Sequence, residues 1–384
     1  MTLLRIVAVA AAIAGLVACD KDKNVDPPAE LVDLRPSLAV DELWSAGVGG
    51  GGEKLKLALG LAAQDEVLFA AARDGEVRAL EAATGRERWK ARTKLELSAG
   101  PAVGSGVVVV GTNGGQLVAL DAATGAQRWQ AQLTGEVLAT PLVAGDRVVV
   151  RTVDGRLRAL SVADGKEAWT VEDLVPRLTL RGTSPPVLAG DAVICGFDSG
   201  KVMSVALAGG EILWQAQLSS PRGRTELERL SDVDAAVQVS GDDVYAVGYQ
   251  GRVAMIARET GQIWWARDLS SYRRLDIDVD QIYVATSDGD VVALRRGDGS
   301  IAWQQQGLKR RGLGGLAVQG TSVIVGDFEG YLHWLHRDDG RFVARERPSR
   351  TRVSLAPLVV GDRVFVIDDG GRITAFRSGD AAGS

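Results

Sequence analysis

Short apolar segments separated by polar turns recur through most of this 384-residue chain. In one unit, residues 107–112 are β-branched and apolar, 113–114 are Asn-Gly, and 116–121 form a second apolar segment. A Thr-Gly turn at 124–125 then precedes a third segment at 127–131. Segments of this length, bounded by Gly and Asn, are typical of β-strands joined by tight turns. The pattern therefore predicts an all-β chain.

A tryptophan that follows a glycine by four positions marks the end of most of these units. The tryptophans lie 38 to 51 residues apart and are Trp44, Trp89, Trp129, Trp169, Trp214, Trp265 and Trp303. Only Trp44 lacks the preceding glycine, and a further copy at Gly340 has Ala344 in the tryptophan position. Self-similarity at a period of about 40 residues indicates a repeat architecture.

The two ends of the repeat pattern complement each other. The last copy, residues 364–376, ends without a tryptophan strand, whereas the chain begins with an isolated tryptophan strand at 42–46. Pairing these ends completes an eighth unit. We therefore predict an eight-bladed β-propeller of four-stranded antiparallel blades over residues 41–377, closed by its terminal strands, with a disordered tail at 378–384. One tryptophan per blade suits a wedge between neighbouring blades.

The N-terminus predicts a separate targeting module. Residues 6–18 are apolar but too short to span a bilayer, and they end in Leu-Val-Ala before Cys19. Small residues before a cysteine are typical of a bacterial lipoprotein signal peptide, here residues 1–18, with Cys19 as the acylated residue. An ordinary secretory signal that contains a cysteine is the alternative. The polar residues that follow indicate a flexible tether over 19–40.

Net charge and cysteine content limit the kinds of ligand and of covalent cross-link that are expected. A net charge of −5 and a pI of about 5.4 argue against a nucleic-acid binder. If Cys19 is acylated, Cys195 is the one remaining cysteine, so no intramolecular disulfide forms. Its apolar surroundings in sequence predict a buried, inert thiol.

No motif for catalysis, metal or cofactor binding stands out. His333 and His336 lie three apart on a predicted strand and so point to opposite faces, which predicts partly exposed positions at a blade edge rather than a metal site. The glycine-rich residues 47–52 lack the Gly-Lys-Ser/Thr of a phosphate loop. A calcium-like run at 287–290 occupies an ordinary turn position. We therefore expect a protein that is not an enzyme and has no bound cofactor.

Two long connections interrupt the repeat. They cover residues 172–186, after Trp169, and 219–236, after Trp214, and both contain leucine, arginine and aspartate. Insertions between repeats map to loops, often on a binding face. Because these two belong to adjacent predicted blades, they are expected to form one patch. Idle variation in loop length is the alternative.

The repeat resembles that of pyrroloquinoline-quinone-type propellers, and its particular segments resemble the BamB family of outer-membrane assembly lipoproteins. The resemblance is carried by the lipobox at Cys19, Leu-Thr-Leu-Arg-Gly at 178–182, Arg-Leu-Ser-Asp-Val-Asp at 229–234, and the segments 326–334 and 339–344. The last segment includes the copy without tryptophan. These segments are distributed from residue 19 to residue 344, and the repeat covers most of the chain between them.

This resemblance implies a periplasmic propeller tethered to the outer membrane that binds BamA through its POTRA domains and aids insertion of β-barrel proteins. Family residues implicated in that contact match Leu178, Leu180, Arg181, Asp232 and Asp234. Nascent outer-membrane proteins are further candidate partners. Asp20 follows Cys19 directly, and aspartate there favours inner-membrane retention in some bacteria, which is the alternative localisation. A quinoprotein-like dehydrogenase and a generic ligand-binding periplasmic propeller are the alternative functions.

Overall fold

The computed structural model describes residues 26–50, 55, 57–180, 184–219, 225 and 232–379, and the regular structure of these residues is β-strand. The strands are β1 (Ala39–Gly47), β2 (Ala58–Leu59), β3 (Leu61–Gln64), β4 (Val67–Ala71), β5 (Glu76–Glu81), β6 (Glu87–Arg92), β7 (Leu97–Gly104), β8 (Val107–Thr112), β9 (Gln116–Asp121), β10 (Gln127–Gln132), β11 (Leu142–Ala144), β12 (Arg147–Arg151), β13 (Arg156–Ser161), β14 (Glu167–Glu172), β15 (Val187–Ala189), β16 (Ala192–Gly196), β17 (Lys201–Ala206), β18 (Ile212–Gln217), β19 (Gln238–Ser240), β20 (Asp243–Val247), β21 (Arg252–Ala257), β22 (Ile263–Asp268), β23 (Asp276–Ile277), β24 (Gln281–Ala285), β25 (Val291–Arg295), β26 (Ile301–Gln305), β27 (Leu316–Gln319), β28 (Ser322–Gly326), β29 (Leu332–His336), β30 (Phe342–Glu346), β31 (Leu358–Val360), β32 (Arg363–Ile367) and β33 (Arg372–Gly379).

These strands form eight sheets, each built on four antiparallel strands, and this confirms the predicted eight-bladed propeller. Blades 1 to 7 take consecutive strands, from β3–β6 in blade 1 to β27–β30 in blade 7. Blade 8 consists of β31, β32, β33 and β1. The short strand β2 adds to blade 2 in parallel with β7. The first strands of neighbouring blades contact one another, including β31 with β3, so they line the centre and the fourth strands form the rim.

The N- and C-terminal strands close the ring, as predicted. Strand β1 pairs antiparallel with β33, from Ala39 opposite Gly379 to Gly47 opposite Arg372. The pairing extends two residues beyond the predicted propeller boundaries of 41 and 377 at each end. The extra pairs satisfy backbone hydrogen-bonding groups that an unpaired tether and tail would leave to water.

The tryptophans are wedges between blades, also as predicted. Seven indole Nε1 groups each donate a hydrogen bond of 2.6–3.1 Å to a backbone carbonyl of the next blade. Each ring also packs on the turn glycine of that blade. At Gly85, for example, an added Cβ would lie 2.6 Å from Cε3 of Trp44, and the backbone φ is +70°. The glycine of the repeat therefore makes room for the tryptophan of the preceding blade.

The missing tryptophan follows from how the ring closes. Ala344 of blade 7 faces blade 8, whose outer strand β1 comes from the other end of the chain, so no Thr-Gly turn stands there to receive an indole. Trp334 and Phe376 fill this junction instead, with ring centroids 5.8 Å apart, and Leu38 and Val40 pack beside them.

Part of the segment predicted as a tether lies against the propeller. The Ala29 N–H donates to the Lys309 carbonyl at 2.9 Å, and Arg311 donates back to the Ala29 carbonyl at 3.1 Å. Arg345 donates to the Val32 carbonyl at 2.8 Å. We call residues 26–38 the N-terminal strap, because they cross the outer strand of blade 7.

Candidate functional site

The two long connections lie on the same face of the ring. Strands alternate in direction within a blade, so the link from each fourth strand to the next blade emerges beside the turn between the second and third strands. We call this the connection face. The connections β14–β15 and β18–β19 flank blade 4 on this face, and they touch each other, as their adjacency in the repeat predicted.

The first connection is held firmly at both ends. Asp173, which is 9% exposed, accepts a hydrogen bond from Lys201 Nζ at 2.7 Å and another from the Ser199 hydroxyl. At the far end, the Ser184 hydroxyl donates to the Ala235 carbonyl of the second connection at 3.0 Å. These contacts fix the two points, Asp173 and Ser184, at which the first connection is attached to the propeller.

Between those anchors the chain presents apolar side chains to solvent. Leu174 is 84% exposed, Val175 43% and Leu178 42%, whereas Leu180 is half-buried. We call Leu174, Val175 and Leu178 the apolar ridge. Leu174 and Val175 were not among the predicted partner residues. The available signal was an apolar pair two residues after the end of the tryptophan strand, where blade 2 has Thr134 and Gly135.

Asp232 supports this loop from beneath. It is 1% exposed, and its Oδ2 accepts a hydrogen bond from the backbone N–H of Leu180. A carboxylate so buried does not reach a partner at the surface. The structure therefore brings Asp232 and Leu180 together, and the buried carboxylate positions the loop instead of being exposed to a partner.

Further ionisable groups lie under the same loop. Arg151 is 1% exposed and donates through Nη2 to Asp198 Oδ2 at 3.1 Å. Burial raises the pKa of Asp198, and Arg151 opposes that shift. Burial, followed by repulsion from Asp232 and Asp198, raises the pKa of half-buried Asp234 well above its ordinary value. The site thus has an acidic floor beneath an apolar ridge.

Two predicted site residues, Arg181 and Cys19, lie outside the described residues. Cys195, in contrast, is described, and it is a buried free thiol, as predicted. Burial raises its pKa to about 12. Its Sγ lies 3.3 Å from the Ser184 carbonyl, at the end of the first connection, so it belongs to the packing under the loop.

The prediction for His333 was wrong. It is fully buried in the third strand of blade 7, not partly exposed at an edge, and its Nε2 lies 3.2 Å from Asp327 Oδ2. Arg311 Nε donates to the same oxygen at 2.7 Å. Burial lowers the pKa of His333, and Asp327 opposes that shift. Among the residues that the structure describes, no group of three or more His, Cys, Asp and Glu side chains is placed to hold a metal ion.

The family profile and the relatives that match this chain carry the same family name. A sequence profile described as "Outer membrane protein assembly factor BamB" matches residues 73–305 and 303–382. The protein of that name from Marinobacter adhaerens is 48% identical over 369 residues, which cover 96% of this chain and 94% of its own. The one from Pseudomonas aeruginosa is 42% identical over 362 residues, covering 94% and 95%.

Among solved structures, BamB from Moraxella catarrhalis superposes with a TM-score of 0.81 and 28% identity, covering 88% of this chain and all of that one. None of the described residues forms a helix long and apolar enough to cross a membrane. An eight-bladed ring of tryptophan-wedged blades, matched to these relatives over nearly its whole length, places the chain in the family of outer membrane protein assembly factors BamB.

Proposed function

We propose that this chain is a non-catalytic subunit of the outer-membrane β-barrel assembly complex that binds BamA through its POTRA domains. Its membership of the BamB family supports a role in outer membrane protein assembly. The apolar ridge on the connection face carries the proposal for the contact itself, because contiguous apolar side chains exposed on a protein surface mark interaction sites.

The residues of the proposed contact fall into two groups, those that touch the partner and those that hold the loop in position. Leu178, with Leu180 and Arg181, forms the part that meets the partner, and the exposed Leu174 extends it. Asp232 acts through the Leu180 backbone, and Asp234 lies beside it in the acidic floor. Such an arrangement favours a partner with an apolar cleft, because burying the ridge releases ordered water while the loop is already in place.

Co-purification tests this division. The double variant Leu180→Ala, Arg181→Ala is expected to lose BamA while remaining folded, since it leaves every described strand of the propeller unchanged. Val279→Ala is the matched control, because Val279 is 84% exposed in a turn on the opposite face. Retention of BamA by the folded double variant would reject this site.

Asp232 is tested by comparing two substitutions. Asp232→Asn keeps an oxygen that accepts from the Leu180 N–H, whereas Asp232→Ala leaves that buried N–H unsatisfied, at a cost of about 1–3 kcal/mol. If Asp232 positions the loop, the asparagine variant keeps most of the affinity for the POTRA domains and the alanine variant does not. Equal losses in both variants would instead indicate that the negative charge itself is required.

We further propose that Cys19 carries the lipid anchor and that the propeller faces the periplasm from the outer membrane. Several acyl chains on one residue give stable anchoring. Because Asp20 follows the cysteine, membrane fractionation is the direct test. Recovery in the outer-membrane fraction, lost in Cys19→Ser, is expected, and recovery solely with the inner membrane would count against the proposed role.

An enzyme is the rival proposal, since quinohemoprotein alcohol dehydrogenase from Comamonas testosteroni shares this architecture with a TM-score of 0.69. That similarity covers 88% of this chain and 76% of the dehydrogenase, at 13% identity, and shows the fold alone. The adjacent-cysteine pair associated with such enzymes is absent from the sequence. An absorbance spectrum of the purified protein that revealed a bound quinone would revive the enzyme hypothesis.

A further inference from the structure

Every outer strand carries a one-residue bulge just before the tryptophan position. In blade 4, for example, Ser204 pairs with Trp214 and Val205 with Ile212, so Leu213 has no partner. A bulge residue is left out of the ladder and its side chain is re-aimed. The eight bulge residues, taken from blade 1 to blade 8, are Arg88, Arg128, Ala168, Leu213, Trp264, Ala302, Val343 and Leu43.

The side chain at the bulge position changes from charged to apolar between the blades of the ring. Blades 1 and 2 have exposed arginines there, Arg88 and Arg128. Blades 4 and 5 instead have Leu213 and Trp264, which are 56% and 57% exposed. The residue before the bulge follows the same change, from Glu87 and Gln127 to isoleucine: Ile212 is 44% exposed and Ile301 of blade 6 is 58% exposed. We call Ile212, Leu213, Trp264 and Ile301 the apolar rim.

An apolar rim needs a reason, because the same repeat shows that charged residues fit these positions. Ile212 and Leu213 are neighbours on one outer strand, and Trp264 and Ile301 lie near the start of the next two outer strands. Apolar patches on a surface mark interaction sites. The outer strands also have a free edge, so their unpaired backbone groups are available to an extended chain. Apolar side chains next to a free edge therefore suit a partner that is itself extended.

Blade 7 shows how such a chain binds, because its bulge is occupied. Val343 is 4% exposed, and its carbonyl accepts hydrogen bonds from the N–H groups of Ser37 and Leu38 at 2.9 and 3.1 Å. Leu38 packs into the apolar cluster that contains Val343. The N-terminal strap is thus an extended segment docked on an outer strand at its bulge, through one backbone acceptor and an apolar side chain.

We propose that the apolar rim of blades 4 to 6 binds an extended segment of an unfolded polypeptide whose apolar side chains alternate with polar ones, as in a strand of a β-barrel. Such a segment would donate its N–H groups to the bulge carbonyls of Leu213 and Trp264, as Ser37 and Leu38 do to that of Val343. Its apolar side chains would cover the exposed isoleucine, leucine and indole. This inference rests on the proposed role in β-barrel assembly and adds a substrate-contacting surface to it.

The rim is separate from the apolar ridge. It lies at the start of the outer strands, where they follow the turn from the third strand, which is at the end of the ring opposite the connection face. An extended chain bound along the rim therefore leaves the ridge accessible, and the two surfaces can be tested independently.

The test exchanges side chains between blades. The probe is a fluorescein-labelled synthetic peptide of twelve residues that alternates valine or tyrosine with threonine, and its affinity is read by fluorescence anisotropy. Leu213→Arg with Trp264→Arg places the residues of blades 1 and 2 on the rim and is expected to weaken binding at least tenfold. The control, Arg88→Ala with Arg128→Ala, is expected to bind as the original protein does. The reverse exchange, Arg88→Leu with Arg128→Trp, is expected to strengthen binding.

Two outcomes would overturn the inference. One is equal peptide affinity in the folded Leu213→Arg, Trp264→Arg variant, with thermal melting as the check on folding. The other is loss of binding to phosphatidylethanolamine–phosphatidylglycerol vesicles without any change in peptide affinity, which would make the rim a membrane contact. POTRA binding, measured in the same variants, is expected to stay unchanged. If neither the original protein nor any variant bound the POTRA domains, the proposed function would be contradicted. The peptide measurement would still decide whether the rim binds an extended chain.

Discussion

Glycine 85 offers a direct test of the tryptophan wedge at the point where the ring closes. Alanine at this position would put a Cβ 2.6 Å from Cε3 and 2.7 Å from Cδ2 of Trp44, and it would have to adopt a φ of +70°. The indole must then move, which threatens its 3.1 Å hydrogen bond to the Ala82 carbonyl. Because Trp44 belongs to β1, the substitution acts on the junction between the chain termini and blade 1.

Three effects contribute to the expected loss of stability. A left-handed backbone costs a residue with a Cβ about 1–2 kcal/mol. Overpacking against a fixed ring costs about 1–3 kcal/mol, and a lost net hydrogen bond costs about 0.5–1.5 kcal/mol. Together they predict that Gly85→Ala lowers the free energy of unfolding by about 2.5–6.5 kcal/mol.

Gly361→Ala is the matched control. Gly361 has a similar φ of +61°, but no atom lies within 4 Å of an added Cβ. It therefore isolates the backbone cost, about 1–2 kcal/mol. Urea unfolding followed by tryptophan fluorescence measures both variants. The wedge argument is refuted if the two variants lose the same free energy.

Two further predictions concern buried ionisable groups. The Cys195 thiol, whose pKa burial raises to about 12, is expected to resist iodoacetamide in the native protein at pH 8 and to react fully in denaturant; labelling of the native protein, followed by mass spectrometry, would contradict this. For Glu76, burial alone would raise the pKa, but hydrogen bonds from Lys90 and Arg78 outweigh it and lower the pKa from 4.5 to about 2. Because the folded pKa is depressed, the stabilisation is present above pH 4.5 and is lost as the pH falls through 2. Glu76→Gln should therefore be less stable than the original protein at pH 7, with a difference in urea midpoint that shrinks between pH 4.5 and 2; a difference that does not depend on pH would count against the ion pairs.

The repeat made the fold predictable. Most blades use the same glycine and tryptophan, so their spacing gave the blade number, and the isolated Trp44 strand gave the closure with β33. Even the exception at Ala344 had a cause that lies in the connectivity, since blade 8 takes its outer strand from the other terminus. Such features recur at regular positions along the chain, so they can be deduced from the sequence without knowledge of tertiary contacts.

Features that depend on contacts between distant segments were not predictable in the same way. The burial of His333 depends on Asp327 and on Arg311, which comes from the connection between blades 6 and 7. The burial of Asp232 depends on how two connections dock, since its partner Leu180 lies 52 residues away. The scarcity of histidine drew attention to His333, and the family resemblance drew attention to Asp232, but neither distinguished a contacting residue from a supporting one.

We propose that the apolar ridge on the connection face is where this propeller meets its partner. Photo-crosslinking in cells tests it directly, with p-benzoylphenylalanine placed at Leu178, which is 42% exposed on the ridge, or at Val279, which is 84% exposed on the opposite face. We expect a crosslinked adduct with BamA from position 178 and none from position 279. An adduct from 279 but not from 178, in proteins that are equally abundant and folded, would contradict it.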